Sequence, residues 1–399
     1  MSESIETLTD LLERASSRKF LDLPASEDFG YADQNNFPFL ALVGQPEMKL
    51  ALLLALINPN VGGVLLLGPR GTGKTTAVRS LVDLMPKVPR SLCHYGCMPE
   101  DIELGGMDAV CVDCAKKYGQ DEPLTYLDQV QLVELPLNAR LDDVVGGIDE
   151  RAAVHNRIRL KKGLLARADR HLLYIDEVNL LSDDVVDVIL DAAAQGKYSV
   201  HRGSMVGTYR SRFVLIGSMN PEEGRLRPQI LDRFGLRVIV RGLHNRQDRL
   251  EAYRRSVNFL NQPQELAQAY AGGTARARNE LEEARKKLAD VEITEKALSF
   301  GLSLIEGLGI ESLRAEITLF EAARAHAVAD GRKKAGLKDI RATAPLALRS
   351  RRSAFIKDYL ANQAEEEAHL SELIRSLSNK MQPRRKSSSN KKTSKSNSG

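Results

Sequence analysis

The chain has 399 residues, enough for two or three domains, and its 43% apolar and 28% charged residues are typical of a soluble protein. Six of its 57 Lys and Arg residues lie in 383–399 without any acid, so the remainder carries 51 basic against 53 acidic residues. Because the remainder of the chain is nearly neutral, its composition gives no reason to expect nucleic-acid binding. No apolar run reaches the length of a membrane span. Because the N-terminus also lacks the apolar segment of a signal peptide, we expect a cytoplasmic protein.

Composition divides the chain into four parts. Residues 1–36 are polar and irregular and predict a flexible lead-in. Residues 37–243 alternate β-like runs with helical patterns, which predicts an α/β fold with a parallel sheet. Residues 244–380 are rich in Ala, Leu, Glu and Arg and predict an all-α domain. The basic, Ser-rich segment 381–399 cannot bury a core and is expected to be disordered, either as a solubilising end or as a weak contact to an anionic surface.

Short apolar runs predict the strands, and helical spacing predicts the helices of the second half. The predicted strands are Val64–Leu67, Val130–Leu135, Leu172–Ile175, Phe213–Ser218 and Arg237–Val240, with a hairpin pairing Tyr198–Val200 and Thr208–Tyr209. Residues 264–289 predict a long charged helix, which the pair Gly272-Gly273 is expected to break. Residues 293–348 predict three or four further helices.

A phosphate-binding loop is the most informative motif. Residues 68–75 fit the pattern GxxxxGK[ST], and they stand between a predicted strand and a predicted helix, which is the context this loop requires. Its glycines let backbone N–H groups point at phosphate oxygens, its lysine neutralises the β and γ phosphates, and its threonine offers a hydroxyl to Mg²⁺. The predicted nucleotide-binding residues here are Gly68, Pro69, Arg70, Gly71, Thr72, Gly73, Lys74, Thr75 and Thr76.

Two carboxylates come directly after the predicted strand Leu172–Ile175. Asp176 is expected to complete the Mg²⁺ site through water, and Glu177 to polarise the attacking water as general base. A pair of acids after a strand is also a common helix cap, but its position after a phosphate-binding loop favours the catalytic interpretation.

Two polar groups come later in the α/β half of the chain. Asn220 follows the strand Phe213–Ser218 and either orients the same water or caps the turn that Pro221 favours. Arg233 lies on a predicted short helix and either reaches a γ-phosphate as an arginine finger or forms a surface ion pair with Asp232.

The order of these motifs along the chain resembles that of an AAA+ ATPase. The residues within and around them are similar to those of the I subunit of magnesium chelatase. The resemblance covers about 37–352, and the segments that carry it are 43–45, 133–137 with 149–151, 163–168, 174–181, 220–224 and 231–235. It implies an AAA+ core with family insertions near 138–167 and 198–212, followed by a helical lid.

The resemblance also implies roles and partners. Val43 and Gly44 would lie near the adenine, Asn220 would be sensor 1, Arg233 would reach the neighbouring subunit's site, and Arg314 in the lid would be sensor 2. Such subunits form ATP-driven rings of about six copies. They work with a D subunit and with a porphyrin-binding H subunit that inserts Mg²⁺ into protoporphyrin IX.

All four cysteines fall in one segment, 93–114. Their spacing, C-x3-C followed after thirteen residues by C-x2-C, is typical of a tetrahedral zinc site. The alternatives are redox-active or regulatory thiols and cysteines without a ligand. The predicted ligands are Cys93, Cys97, Cys111 and Cys114.

Three functions share this nucleotide site. The first is the ATPase motor subunit of magnesium chelatase, and the second is a related MoxR-like AAA+ chaperone acting on another target. The third, a nucleic-acid-directed relative such as a helicase loader, is disfavoured by the near-neutral core. The residues of the insertions favour the first function, the motor subunit of magnesium chelatase.

Overall fold

A computed structural model describes residues 36–93, 96–148, 160–202, 205–224 and 226–351. Outside them lie the predicted lead-in up to residue 35, the predicted tail, residues 352–380 of the predicted lid, and parts of both predicted insertions. Within these ranges no helix combines the length and the apolar character needed to cross a bilayer.

Residues 46–239 form the α/β part of the protein. Its elements in chain order are α1 (Pro46–Ile57), β1 (Val64–Leu67), α2 (Lys74–Arg79), β2 (Val88–Ser91), α3 (Pro99–Gly105), α4 (Val112–Gly119), β3 (Thr125–Asp128), β4 (Leu132–Leu135), α5 (Leu141–Val145), β5 (Gly146–Ile148), β6 (Leu160–Lys162), α6 (Leu164–Arg167), β7 (Leu172–Ile175), α7 (Asp183–Gln195), β8 (Lys197–Arg202), β9 (Met205–Arg210), β10 (Val214–Met219), α8 (Pro228–Arg233) and β11 (Leu236–Ile239).

Five of these strands form one parallel sheet in the order β11-β1-β10-β7-β4. Strand β7 and strand β10 are buried along their whole length, because helices cover both faces of a parallel sheet, and these strands are therefore largely apolar. The α/β fold class is confirmed, and each of the five strands predicted outside the hairpin is present with ends that agree within two residues.

The two edges of this sheet carry different groups. At the carboxyl edge, the loop 68–73 follows β1 and the acidic pair follows β7. At the amino edge, the Gly235 N–H donates to the Gly62 carbonyl at 3.0 Å just before β11 and β1 begin. A strand of four residues spans roughly 13 Å, so groups at the amino edge lie far from the phosphate-binding loop of the same chain.

Three antiparallel pairs lie outside the main sheet: β2 with β3, β5 with β6, and β8 with β9. The last is the predicted hairpin, which is longer than predicted. The pair β5–β6 lies in the predicted insertion 138–167.

From residue 244 onward the described chain is mainly helical. It contains α9 (Arg246–Asn261), α10 (Pro263–Lys287), β12 (Glu292–Ile293), α11 (Glu295–Leu308), α12 (Leu313–Ala329), β13 (Lys334–Ala335) and α13 (Leu337–Leu348). The three helices after residue 293 match the prediction, while the short parallel pair β12–β13 was not predicted. The predicted boundary near 243 stays a prediction.

The predicted break at Gly272-Gly273 is wrong, because α10 runs through both glycines. Tertiary packing outweighs their low helix propensity: Leu266, Leu281 and Ala284 are buried along the helix. A side chain at Gly273 would place its Cβ 2.9 Å from Leu40, so glycine permits this close approach.

Candidate nucleotide-binding site

The phosphate-binding loop joins β1 to α2 as the motif predicts. It turns through Gly71 and Gly73, whose φ angles of 74° and 83° favour glycine. At both positions the space around a hypothetical Cβ is open to 4 Å, and both glycines line a cavity that a ligand can enter. Helix α2 begins at Lys74, which places unpaired N–H groups of its first turn at the same loop.

Lys74 is held inside this loop. Its side chain is buried, and Nζ donates to the carbonyls of Gly68 at 2.7 Å and Pro69 at 2.8 Å. Desolvation lowers the pKa of the ammonium, and nearby Asp176 and Glu177 partly oppose that shift. The ammonium therefore lies in a partly desolvated place where it would interact strongly with an anion.

A chain of oxygen atoms connects α2 to the ends of two strands. The Tyr174 hydroxyl donates to Asp176 Oδ1 at 2.8 Å and lies 3.2 Å from Thr75 Oγ1, while the Ser218 hydroxyl also bonds to Asp176. Burial raises the pKa of Tyr174, so the phenol stays a neutral donor. Carboxylate and hydroxyl oxygens suit Mg²⁺, and this group fits such an ion.

Tyr174 and Ser218 were not predicted as site residues, because both lie inside apolar runs whose pattern indicates only strands. One sequence signal could have identified them. Each has a side-chain hydroxyl near the end of a predicted strand, and the two strands, β7 and β10, are neighbours in the sheet.

Glu177 lies at the end of β7 with a left-handed backbone, φ 52°. Its N–H donates to the Ser218 hydroxyl at 3.1 Å, and its carboxylate lies 3.1 Å from the Arg70 guanidinium. Arg70 also pairs with Glu223 at 2.6 Å. The Glu177 side chain does not cap the short turn after it, so the helix-cap interpretation of this acid is wrong.

Asn220 is buried and organises the turn after β10. Its Oδ1 accepts the Glu222 N–H at 3.3 Å, and its Nδ2 donates to Glu223 Oε1 at 3.1 Å. The turn interpretation is therefore confirmed. The role of Asn220 toward water stays a prediction.

Beside the phosphate-binding loop is a cavity of about 590 Å³. The loop lines one side through Gly71–Gly73 and Thr76, and Val43, Leu243 and α9 line the other. Gly44 has φ 63°, a backbone conformation that favours glycine, and a Cβ there would lie 2.7 Å from the end of the Leu243 side chain, which would have to move. The largely apolar lining suits a planar base. The contributions of Leu243, His244 and Arg249 to this lining were not predicted.

Arg233 and Arg314 both lie next to Asp232, near the amino edge of the sheet. Arg233 is the last residue of α8, and its guanidinium pairs with Asp191 at 2.9 Å and Asp187 at 3.4 Å on α7. Arg314, half exposed in the first turn of α12, lies 3.8 Å from Asp232. The predicted Asp232–Arg233 pair is wrong, because Asp232 instead accepts from the buried Arg351 at 2.8 Å.

The four cysteines are brought together in the segment between β2 and β3, as their spacing predicts. All four sulfur atoms lie within 4.8 Å of one another, and none forms a disulfide.

Comparisons with known proteins identify the family. The chain matches the family models for the AAA lid domain over 304–373 and for magnesium chelatase, subunit ChlI, over 147–229. It is 42% identical to a magnesium-chelatase subunit ChlI homolog of Methanocaldococcus jannaschii, with 80% of this chain and 87% of that one covered. Identity to the magnesium-chelatase 38 kDa subunit of Acidiphilium rubrum is 43%, covering 79% and 90%.

A solved complex between subunits BchI and BchD of magnesium chelatase contains a chain that is 37% identical, with 80% of this chain and 97% of that chain covered and a TM-score of 0.46. The identity over most of each curated relative, together with the phosphate-binding loop on a parallel sheet and the match to an AAA lid, confirms the resemblance drawn from the motifs. The chain belongs to the ChlI family of magnesium-chelatase AAA+ subunits.

Proposed function

We propose that this chain is the ATP-hydrolysing motor subunit of a magnesium chelatase. It would drive insertion of Mg²⁺ into protoporphyrin IX for chlorophyll or bacteriochlorophyll synthesis, together with a D subunit and a porphyrin-binding H subunit. The observation that carries the proposal is the convergence of Lys74, Thr75, Asp176 and Glu177 at the carboxyl edge of one sheet. Membership of the ChlI family supports the choice of target.

In this proposal the loop 68–76 binds the ATP phosphates. Backbone N–H groups at Gly71–Lys74 donate to phosphate oxygens, and Lys74 exchanges its two carbonyl partners for the β and γ phosphates. Thr75 and Asp176 would hold Mg²⁺, which neutralises charge on the phosphates when bound. Tyr174 and Ser218 fix the Asp176 carboxylate by hydrogen bonding.

Glu177 is proposed as the general base. Its backbone is fixed by the bond to Ser218, so the carboxylate stays beside the phosphate-binding loop. The Arg70 guanidinium orients this carboxylate, whose ionised form accepts a proton from water. Asn220, held in the adjoining turn, would orient the same water.

Val43 and Gly44 are proposed to contact the adenine in the cavity beside the loop. The far side of this cavity is formed by α9, the first helix of the predicted lid, through Arg249 and Ser256. A bound nucleotide would then touch both the sheet part and the helical part. Its hydrolysis can change the angle between them.

Arg233 and Arg314 are proposed to act on the nucleotide of the neighbouring subunit in a ring of about six copies. Both lie near Asp232, which the buried Arg351 ties to the amino edge of the sheet. The phosphate-binding loop lies at the opposite, carboxyl edge of the sheet, directly after β1. Hydrolysis would therefore depend on assembly, because each active site needs groups from two chains.

The test is reconstitution of the chain with chelatase D and H subunits, ATP, Mg²⁺ and protoporphyrin IX. We expect the complete mixture to form Mg-protoporphyrin and the mixture without this chain to form none. ATPase activity in the same mixture without Mg-porphyrin, when a known I subunit gives product, would favour the MoxR-like alternative. Absence of ATP binding would overturn both.

A further inference from the structure

The segment between β2 and β3 carries a compact cluster of four sulfur atoms. Cys93 Sγ lies 3.6 Å from Cys97 Sγ and 3.7 Å from Cys111 Sγ, and all four sulfurs, including that of Cys114, lie within 4.8 Å of one another. Cys97 and Cys114 are buried.

These separations match the edges of a metal-centred tetrahedron. Four sulfurs at about 2.3 Å from a central zinc lie about 3.8 Å from each other, and no separation here would need to contract by more than about 1 Å. A disulfide would need a separation of about 2 Å, much shorter than the 3.6 Å and 3.7 Å that separate Cys93 Sγ from Cys97 Sγ and Cys111 Sγ.

Two features of the surroundings would suit thiolates bound to a cation. The Cys111 N–H points at Cys97 Sγ at 3.3 Å, a bond that stabilises negative charge on sulfur. Ser91 fixes the first pair by accepting the Cys93 N–H and donating to the Cys97 carbonyl. Lys162 of β6 reaches Gly96, so close that a Cβ there would meet Nζ at 2.6 Å. A cationic side chain suits a site in which four thiolates exceed the charge of one divalent ion.

The segment has too few apolar residues to hold itself together. Its buried cluster consists of Cys97, Cys114 and Leu124, with only a few partly buried neighbours. A short segment with so small a core usually depends on a disulfide or a metal. In the described structure the four cysteines are free and their sulfur atoms converge, which is the arrangement that a metal site requires.

We propose that Cys93, Cys97, Cys111 and Cys114 bind one structural zinc ion. The ion holds residues 96–124, which include α3 and α4, as a rigid clamp on the ATPase core. This goes beyond the proposed function and does not depend on it, since no nucleotide-site residue takes part.

The clamp is formed by α3, which begins just after Cys97. Its Glu100 accepts from Arg170 at 2.6 Å and from Arg210 at 3.1 Å, and its Asp101 accepts from Arg210 at 2.6 Å. Arg170 lies just before β7, the strand that Asp176 and Glu177 follow, and Arg210 ends the β8–β9 hairpin. Zinc would thus fix the position of α3 against both elements.

Metal analysis of the full chain, purified without a histidine tag and without added zinc, tests the site. About one zinc per chain is expected, falling close to zero in Cys111→Ser and Cys114→Ser. Asp113→Asn is the matched control, because Asp113 is an exposed potential ligand between two of the cysteines and should not affect zinc content. Zinc-free protein with four titratable thiols, or a stoichiometric metal other than zinc, would overturn the proposal.

If the serine variants do not fold, the wild-type chain still decides the matter. Zinc is removed from folded protein with a mercurial thiol reagent and a metal indicator, and amide hydrogen exchange is measured before and after. Exchange should rise in 96–124 and in the β8–β9 hairpin but not in β1. Unchanged exchange in 96–124 would refute the clamp, whatever the chelatase assay shows.

Discussion

The Arg70 guanidinium lies 3.1 Å from Glu177 Oε1, so an arginine of the phosphate-binding loop is paired with the proposed base at the end of β7. The same guanidinium lies 2.6 Å from Glu223 Oε1. The Arg70 guanidinium thus pairs with two carboxylates of similar exposure, and only one of them, that of Glu177, directly follows Asp176 at the end of β7. This pair of glutamates provides a matched experiment.

Glu177→Gln should bind ATP normally but lower the turnover rate about 10²–10⁴-fold, because an amide cannot accept the proton of the attacking water. Glu223→Gln loses the same charge beside Arg70 and should keep turnover close to wild type. Steady-state ATPase assays and nucleotide binding by fluorescence measure both. Equal losses in the two variants would mean that the Arg70 pairing, rather than a base, is responsible.

Lys74→Ala should lower ATP turnover on the order of 10²-fold or more, since a desolvated ammonium aimed at the phosphates is lost. The fold should persist, because the bonds to Gly68 and Pro69 lie within one loop. Calorimetric titration with ATP and circular dichroism check the two statements. Unchanged turnover would remove the loop 68–75 from the active site.

Mixing two inactive variants tests the shared site. Lys74→Ala lacks a functional phosphate-binding loop but keeps its arginines, whereas Arg233→Ala keeps the loop and lacks the finger. In rings formed from equal amounts of the two variants, about a quarter of the interfaces join an intact phosphate-binding loop to an intact arginine. ATPase activity should therefore reappear at about a quarter of the wild-type rate. Arg314→Ala should complement Lys74→Ala in the same way. No recovery from rings shown to be mixed would place these arginines in their own chain's site.

Tyr174→Phe should raise the Mg²⁺ concentration needed for half-maximal ATPase activity on the order of 10-fold, because Asp176 loses a donor that orients it. Tyr126→Phe removes a hydroxyl that bonds to Asp128 on β3 and serves as the control. Magnesium titrations at saturating ATP measure the effect. Coincident titration curves for the two variants would show that the Tyr174 hydroxyl does not support the metal site.

The helical part contains a buried charge whose loss should be measurable. Asp339 is fully buried, and although burial opposes its ionisation, hydrogen bonds from Arg332, the Gly336 N–H and His326 lower its pKa to about 2. A lowered pKa in the folded state stabilises the protein above about pH 4, and this contribution is lost as the pH falls toward 2.

Asp339→Asn should lower the free energy of unfolding by about 3 kcal/mol at pH 7, since Arg332 and His326 lose their shared anion. Asp330→Asn removes an exposed partner of the same Arg332 and should cost less than about 1 kcal/mol. Urea unfolding from pH 7 to pH 3 measures both, and the difference between Asp339→Asn and wild type should shrink toward the acid end. A constant difference would show that the ion pair does not contribute.

The sequence alone determined the groups whose chemistry is local. The glycines and the lysine of 68–75, the acids after Leu172–Ile175 and the two cysteine pairs are recognisable because each motif depends on fixed spacing along the chain. The strands were predicted within two residues because a sheet buried on both faces needs continuous apolar runs.

Tertiary structure decided the features that depend on contacts between distant segments. It brought the Tyr174 and Ser218 hydroxyls to Asp176, tied Asp232 to Arg351 instead of Arg233, and carried α10 through Gly272-Gly273. It also placed Arg233 and Arg314 near the amino edge of the sheet, opposite the phosphate-binding loop. Strand order and helix packing set these positions, and no local pattern encodes them.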